Sequence, residues 1–304
     1  MNRILYIIGP TASGKTELAI DVCKRINGEI IGADSMQIYK HISVGTAKPT
    51  TEETGDIKYH LIDFVEPDII YTVSQFKDDA LELIEDMHKR GVIPVVCGGT
   101  GLYINSLLYK MDFTEASYDL ALRQELDGKS REELLLMLNK LDGKTYEEID
   151  KSNLRRVRRA IEICMLSGKP KSQQTNDYKK SLRPFDHRVI VLNPDRKVLY
   201  ERINKRVDIM LENGLVEEVK LLLEKYPKRD YPVFQFIGYK EIVEYLSGES
   251  DLITAAEKIK QNTRHFAKRQ MTWFRGLKGI ENLHFLNTAC GKEELLDKAL
   301  KILE

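Results

Sequence analysis

The sequence contains few cysteines and no long apolar segment. Its four cysteines lie far apart, and none has the C-x-x-C or cysteine–histidine spacing of a metal site: Cys23, Cys97, Cys164 and Cys290. No uninterrupted apolar run approaches the roughly twenty residues of a membrane span. The first residues lead directly into a short apolar run, without the pattern of a signal peptide. We therefore expect reduced structural thiols and a cytoplasmic protein that does not act at a membrane.

The sequence also lacks an excess of charge of either sign. It has 47 basic and 47 acidic residues among 304. A net charge of zero gives no general attraction to nucleic acid, so any such binding must depend on a local cluster of charges. The length allows one large domain or two modest ones. Nothing indicates an obligate protein partner, and we expect a monomer.

A phosphate-binding pattern follows the first apolar run, residues 4–8. The pattern G-x-x-x-x-G-K-[ST] is matched by Gly9, Pro10, Thr11, Ala12, Ser13, Gly14, Lys15 and Thr16. Between a strand and a helix, such a loop turns backbone N–H groups and the helix N-terminus toward an anion. Lys15 adds a positive charge, and Thr16 is predicted to hold a Mg²⁺ ion that bridges phosphate oxygens. A nucleoside triphosphate such as ATP is the usual ligand of this pattern, but any diphosphate would satisfy the same donors.

Strand and helix patterns alternate over the first 110 residues, which predicts a parallel sheet flanked by helices. Strands are expected at 4–8, 29–33, 59–63, 92–97 and 187–192, and a helix at 75–90 with Ser74 as its N-cap. Between the last two of these strands we predict only helices, at 120–126, 130–141 and 153–166. The expected architecture is an α/β, P-loop NTPase-like core, residues 1–112 and 184–304, with an all-helical insertion at 113–183.

Three further features are candidates for a site. Asp34 follows a predicted strand, at the sheet edge where open α/β folds bind ligands, although a helix N-cap or a Mg²⁺ partner explains it equally well. The glycine-rich turn 98–101 follows another strand. Arg202 and Arg206 lie one helical turn apart, a spacing that suits one shared anion and surface ion pairs alike.

A run of arginines lies in the predicted insertion, at Arg155, Arg156, Arg158 and Arg159. Such a run is commonly a solvated helix face. Here no acidic residue lies among the four arginines, so they repel one another unless a polyanion is present. Val157 is predicted to pack inside. Aromatic residues between the basic residues of 251–275 suit either the core or RNA stacking.

Six segments together resemble the bacterial tRNA dimethylallyltransferases, the IPP transferase family. They are residues 9–16, 34–37, 45–49, 98–101, 238–241 and 268–275. The resemblance spans residues 3 to about 276. It implies transfer of a dimethylallyl group from dimethylallyl diphosphate to N6 of adenosine 37 in the tRNA anticodon loop. The phosphate loop would then bind the donor's diphosphate.

The resemblance also implies roles for individual residues. Asp34 would be the general base, and Lys15, Thr16, Arg206 and Mg²⁺ would bind the diphosphate. The tRNA anticodon stem-loop would contact Asp34, Ser35, Met36, Gln37, Thr100, Arg123, Arg155, Arg156, Val157, Arg158 and Arg159.

Three other functions are compatible with parts of the sequence. A small-molecule kinase would use the phosphate loop for ATP but has no evident need of the arginine run. A tRNA-binding module that senses nucleotide would not need Asp34 beside the loop. Prenylation of free AMP would not need residues 113–183.

Overall fold

The computed structural model describes residues 2–111, 119–174 and 181–303. The chain divides into two compact units, one formed by Met1–Leu108 with Pro184–Glu304 and the other by Tyr109–Arg183. An antiparallel bridge between Tyr109 and Leu182 joins the two ends of the second unit. The predicted boundary at 112/113 lies outside the described residues.

The first unit is built on a six-stranded sheet in which every described pair of neighbouring strands is parallel. The strands are β1 (Arg3–Ile8), β2 (Gly28–Ala33), β3 (Tyr59–His60), β4 (Ile93–Gly98), β5 (Asp186–Leu192) and β6 (Asn282–Leu286). Their order is β3-β2-β4-β1-β5-β6. The central strands are almost wholly apolar and buried, as expected for a sheet with helices on both faces. The predicted α/β fold class is confirmed.

Each described helix belongs to the first or to the second unit. Those of the first unit are α1 (Lys15–Ile26), α2 (Thr51–Thr54), α3 (Val73–Lys89) and α4 (Gly101–Leu108) before the second unit, and α10 (Arg196–Glu212), α11 (Leu215–Lys225), α12 (Tyr239–Leu246), α13 (Leu252–Arg275) and α14 (Lys292–Lys301) after it. Those of the second unit are α5 (Leu120–Asp127), α6 (Arg131–Leu141), α7 (Gly143–Glu148), α8 (Leu154–Ser167) and α9 (Lys171–Gln174). Among the described residues no helix is both long and apolar enough to span a membrane.

Two local predictions in the first unit are wrong. Helix α3 is capped by Thr72 and not by Ser74, because Thr72 and Gln75 form a reciprocal capping box. Strand β3 ends at His60 and not at residue 63, since Leu61 and Asp63 have φ values of 54° and 56°, which take the backbone out of the extended conformation.

The second unit packs around its own apolar core. The buried residues of this core are Leu126, Leu134, Leu138, Val157, Ala160 and Ile161. Helices α5, α6 and α8 match the predicted ranges to within one residue, whereas the short helices α7 and α9 were not predicted. Val157 is fully buried, so its predicted packing role is confirmed. Its side chain therefore cannot make the predicted contact with tRNA.

Candidate active site

Three loops meet at the carboxyl edge of the sheet because β2, β4 and β1 are neighbours. The phosphate loop follows β1, Asp34 follows β2, and the glycine-rich turn follows β4. Backbone hydrogen bonds join them: Gly9 donates to the carbonyl of Gly98 (3.4 Å), and Thr100 donates to the carbonyl of Ala33 (3.1 Å). The fold therefore brings the three predicted site segments together, at the edge where such sheets bind ligands.

The phosphate loop forms a turn that enters α1 without a side-chain cap. Gly14 has a φ of 87°, a left-handed conformation that favours glycine. Three N–H groups of the loop are already used, since Gly9 donates to Gly98, Ser13 to Pro10 (3.3 Å) and Thr11 to a side chain of α13. The donors for an anion therefore centre on Gly14 and the first turn of α1.

Two half-buried cations, Lys15 and Arg206, stand in this site. Burial lowers the pKa of Lys15; Asp34 opposes this change and Arg206 adds to it. Burial also lowers the pKa of Arg206, while the charges of Glu53 and Asp34 oppose it. An anion placed between the two cations would relieve both costs of burial.

The neighbouring Arg202 does not share this environment. It is exposed and lines a cavity of about 160 Å³ that also touches Ser13, Gly14 and Lys292. The two guanidinium groups therefore differ in burial, but Arg202 also lies beside the phosphate loop, and the prediction that both serve one anion stays a prediction.

The carboxylate of Asp34 caps a turn. Its Oδ1 accepts hydrogen bonds from the backbone N–H of Met36 (2.9 Å) and of Gln37 (3.4 Å). No helix begins here among the described residues, so the helix N-cap interpretation is wrong. Thr100 Oγ1 accepts from Ser35 N–H (2.9 Å) and donates to Ser35 Oγ (3.2 Å). The turn thus fixes Asp34 next to Ser35 and Thr100, as the predicted site requires.

Gln37 is held by a loop that sequence reasoning left without a role. Its Nε2 donates to the carbonyls of Thr46 (3.0 Å) and Ala47 (3.2 Å). The backbone just before them is held by Glu218, whose carboxylate accepts from three consecutive N–H groups, of residues 43–45, at 2.7 to 3.1 Å. Tyr239 also donates to Glu218 (2.6 Å). Segments 45–49 and 238–241 of the resemblance therefore support the position of Gln37.

Helix α13 supplies another residue that sequence reasoning missed. Gln270 is 7% exposed; its Oε1 accepts from Thr11 N–H (2.9 Å), and its Nε2 donates to the carbonyl of Gly99 (2.9 Å). Two aromatic residues follow it. Phe274 is fully buried, which confirms the core interpretation for that residue, whereas Trp273 is half-buried and lies against Gly101.

The oxygen donors here are few. Among the described residues, no three His, Cys, Asp or Glu side chains are grouped to hold a metal ion. Mg²⁺ in phosphate sites usually takes one or two protein oxygens and completes its shell with water and phosphate. The Thr16 hydroxyl and the nearby Asp34 carboxylate fit that mode. Beside Thr16, burial raises the pKa of the Cys97 thiol to about 11, so the thiol stays protonated.

The arginines of the second unit fall into two groups. Glu162, whose side chain is 5% exposed, accepts from Arg123 Nε (2.6 Å) and Arg159 Nη1 (2.7 Å). Arg158 pairs with Asp127 (3.2 Å). The expectation that the arginines of the run repel one another unless a polyanion is present is therefore wrong for Arg158 and Arg159, because acids outside the run neutralise them.

Arg155 and Arg156, the exposed arginine pair, are different. Both are exposed, and neither forms an ion pair with another described residue. Arg156 lines a cavity of about 570 Å³ whose wall also carries Lys144 and Lys171 together with two acidic residues. Within the part of the second unit that the structure describes, these two arginines are the members of the run best placed to bind a phosphate backbone.

The sequence matches the IPP transferase family over residues 37–277. The chain belongs to this family. A tRNA dimethylallyltransferase of Acetivibrio thermocellus is 48% identical over 291 residues, which cover 94% of this chain and 92% of the relative. The predicted resemblance is thus confirmed, and the chain is an enzyme of the prenyltransferase class. This class leaves no support for the small-molecule kinase or the non-enzymatic binding module.

Solved structures of relatives support the same assignment. The tRNA isopentenylpyrophosphate transferase of Bacillus halodurans is 37% identical with a TM-score of 0.75, and the match covers 100% of this chain and 96% of that one. A eukaryotic dimethylallyltransferase acting on tRNA is 30% identical with a TM-score of 0.82, covering 99% and 77%. The parallel-sheet core flanked by helices is therefore shared with enzymes of this family.

Proposed function

We propose that the protein transfers a dimethylallyl group from dimethylallyl diphosphate to N6 of adenosine 37 in tRNA and releases pyrophosphate. The observation that carries this proposal is that the phosphate loop, with the two cations Lys15 and Arg206, meets the Asp34 turn at one edge of the sheet. Relatives named tRNA dimethylallyltransferase over nearly the full chain support it.

The phosphate loop acts on the donor. The N–H groups at the start of α1, together with Lys15 and Arg206, bind the diphosphate and meet the negative charge that grows as the C–O bond breaks. These donors are held in place before the substrate arrives, so little reorganisation is needed. Mg²⁺, held by Thr16 and phosphate oxygens, would supply further charge neutralisation when bound.

The Asp34 turn acts on the acceptor. N6 of the adenine forms a bond to the dimethylallyl carbon as the diphosphate leaves, and the amine must then lose a proton. Asp34 takes that proton. The adenine must leave the anticodon loop to reach this site, as base-modifying enzymes require. Ser35, Met36, Gln37 and Thr100 line the place where it enters.

The second unit contributes binding of the anticodon stem-loop. In our proposal the exposed arginine pair, Arg155 and Arg156, contacts the phosphate backbone directly. The paired residues Arg123, Arg158 and Arg159 shape the surface around it, because their charges are partly neutralised by acidic neighbours.

Mass spectrometry of tRNA after incubation with the protein, Mg²⁺ and dimethylallyl diphosphate, without ATP, tests the reaction. We expect one dimethylallyl group on adenosine 37. Free AMP in place of tRNA should give no product. ATP hydrolysis with no change in tRNA would contradict the proposal, and prenylation of AMP alone would reassign the acceptor.

The general base is tested by Asp34→Asn, which keeps an oxygen to accept from Met36 N–H but cannot take a proton. We expect kcat to fall by ~10²- to 10⁴-fold with tRNA affinity retained. Asp56→Asn, at an exposed position, serves as the control. Near-normal turnover by Asp34→Asn would remove Asp34 from this role.

The monomeric state and the cytoplasmic location stay predictions; light scattering of the purified protein tests the first.

A further inference from the structure

Gln270 connects two of the three loops that form the site. One end of its amide holds Thr11 in the phosphate loop, and the other holds Gly99 in the turn after β4, each at 2.9 Å. The side chain is 7% exposed. The hydrogen bond to Gly99 is therefore buried and that to Thr11 is partly buried, and a side chain without these groups would leave the Thr11 N–H and the Gly99 carbonyl without this partner.

The connection continues from the turn to the acceptor side. Gly99 is followed by Thr100, whose hydroxyl accepts from the backbone N–H of Ser35 at 2.9 Å. Ser35 in turn follows Asp34. A continuous path of covalent and hydrogen bonds thus runs from the phosphate loop through Gln270 and Thr100 to Asp34.

The turn has no room for a side chain at position 99 while Gln270 keeps its place. A Cβ atom added at Gly99 would lie 2.3 Å from Gln270 Nε2 and 3.2 Å from the carbonyl oxygen of Gly9. The amide and the glycine therefore fit each other, and a larger residue at position 99 must displace the Gln270 side chain.

We infer that Gln270 is a positioning residue that sets the separation between the diphosphate cradle and the acceptor side of the site. This inference rests on the proposed function. In a displacement reaction the attacking nitrogen and the leaving oxygen must be aligned on one carbon, and a misplacement of about 1 Å costs on the order of 10²-fold in rate. Gln270 touches neither reacting group and acts through Thr11 and Gly99.

Gln270→Met tests this inference, since methionine has nearly the same length but neither hydrogen-bonding group. We expect kcat to fall about 10- to 100-fold, with KM for tRNA within about twofold of wild type. Gln261→Met, at an exposed position of the same helix, should change neither constant. An unchanged kcat in folded Gln270→Met overturns the inference. A raised KM for tRNA with normal kcat also overturns it and makes Gln270 an RNA contact.

Gly99→Ala perturbs the same contact from the other side and serves if Gln270→Met does not fold. We expect Gly99→Ala to lower kcat in the wild-type background and to have little further effect in Gln270→Ala, where the added methyl group has space. Additive losses would overturn the inference.

Amide hydrogen exchange at Thr11 needs no turnover: faster exchange in Gln270→Met supports the link, whatever reaction the enzyme catalyses. Wild-type protein that fails to prenylate tRNA would instead count against the proposed function.

Discussion

Replacing Arg206 by glutamine is expected to stabilise the ligand-free protein and to remove most of its stabilisation by pyrophosphate. Burial lowers the pKa of Arg206, so keeping this charge in the folded state has a net cost. Burial likewise lowers the pKa of Lys15, and Arg206 lowers it further. Without a bound anion, the two cations therefore oppose folding, and their benefit is realised only when a diphosphate is bound.

The size of each effect can be worked out from this arrangement. Because Arg206 is only half-buried, we expect Arg206→Gln to raise the free energy of unfolding of the ligand-free protein by about 0.5–2 kcal/mol. Other substitutions that relax a functional site have effects of this size. At a pyrophosphate concentration 100 times Kd, the wild type gains about 2.7 kcal/mol. If the substitution weakens binding about 100-fold, the same concentration stabilises the variant by only about 0.4 kcal/mol.

Thermal unfolding with and without Mg²⁺ and pyrophosphate measures both effects on one protein. Without ligand, we expect the Tm of Arg206→Gln to lie a few degrees above that of wild type. Pyrophosphate should then raise the Tm of the variant by only a small amount. Lys205→Gln, at an exposed position of the same helix, is the matched control and should behave like wild type. If Arg206→Gln lowers the ligand-free Tm, or keeps the full response to pyrophosphate, the reasoning about a two-cation site is refuted.

Three further predictions concern charges elsewhere. Glu162→Gln should destabilise the second unit by ~1–3 kcal/mol in urea unfolding, because two guanidinium groups lose their buried partner; Glu147→Gln, at an exposed position, should change little. Hydrogen bonds from Arg90 lower the pKa of Glu29 to about 2. The contribution of Glu29 to the free energy of unfolding is therefore complete above its unfolded pKa of ~4.3 and is lost as the pH falls through about 2. Glu29→Gln should make the free energy of unfolding depend less on pH within that window. Replacing the exposed arginine pair by glutamine should reduce the salt dependence of tRNA binding by about one to two phosphate contacts, and an unchanged slope would show that the pair makes none.

The elements that could be predicted from the sequence depend on local patterns. Apolar runs placed β1, β2, β4 and β5 to within one residue of their observed bounds, and the phosphate loop was fixed by the spacing of Gly9, Gly14 and Lys15. Asp34 and the glycine turn could be proposed as site residues because the loops after neighbouring parallel strands meet at one edge of the sheet. The prediction failed where the backbone leaves its regular conformation, as at Leu61.

Polar contacts between distant segments could not be predicted in this way. Gln270 is 259 residues from Thr11, and Glu218 is 173 residues from Gly45. Periodicity reports whether a position faces the core, and it carries no information about which polar partner lies there. Gln270 lies within segment 268–275 of the resemblance and Glu218 lies outside all six segments, and the roles of both required coordinates.

The arginine helix shows where the sequence held more information than its first interpretation used. Counting acids only among positions 155–159 predicted mutual repulsion, yet Arg159 and Glu162 are spaced i,i+3 and therefore share one side of α8. A carboxylate whose neighbours on the helix are buried needs a cationic partner, because an unpaired buried charge is costly. Glu162 meets this need with Arg159 and Arg123, and Asp127 pairs with Arg158, so the charge of the run is concentrated at Arg155 and Arg156. Two acids outside the run thus decide which arginines are available to a phosphate backbone.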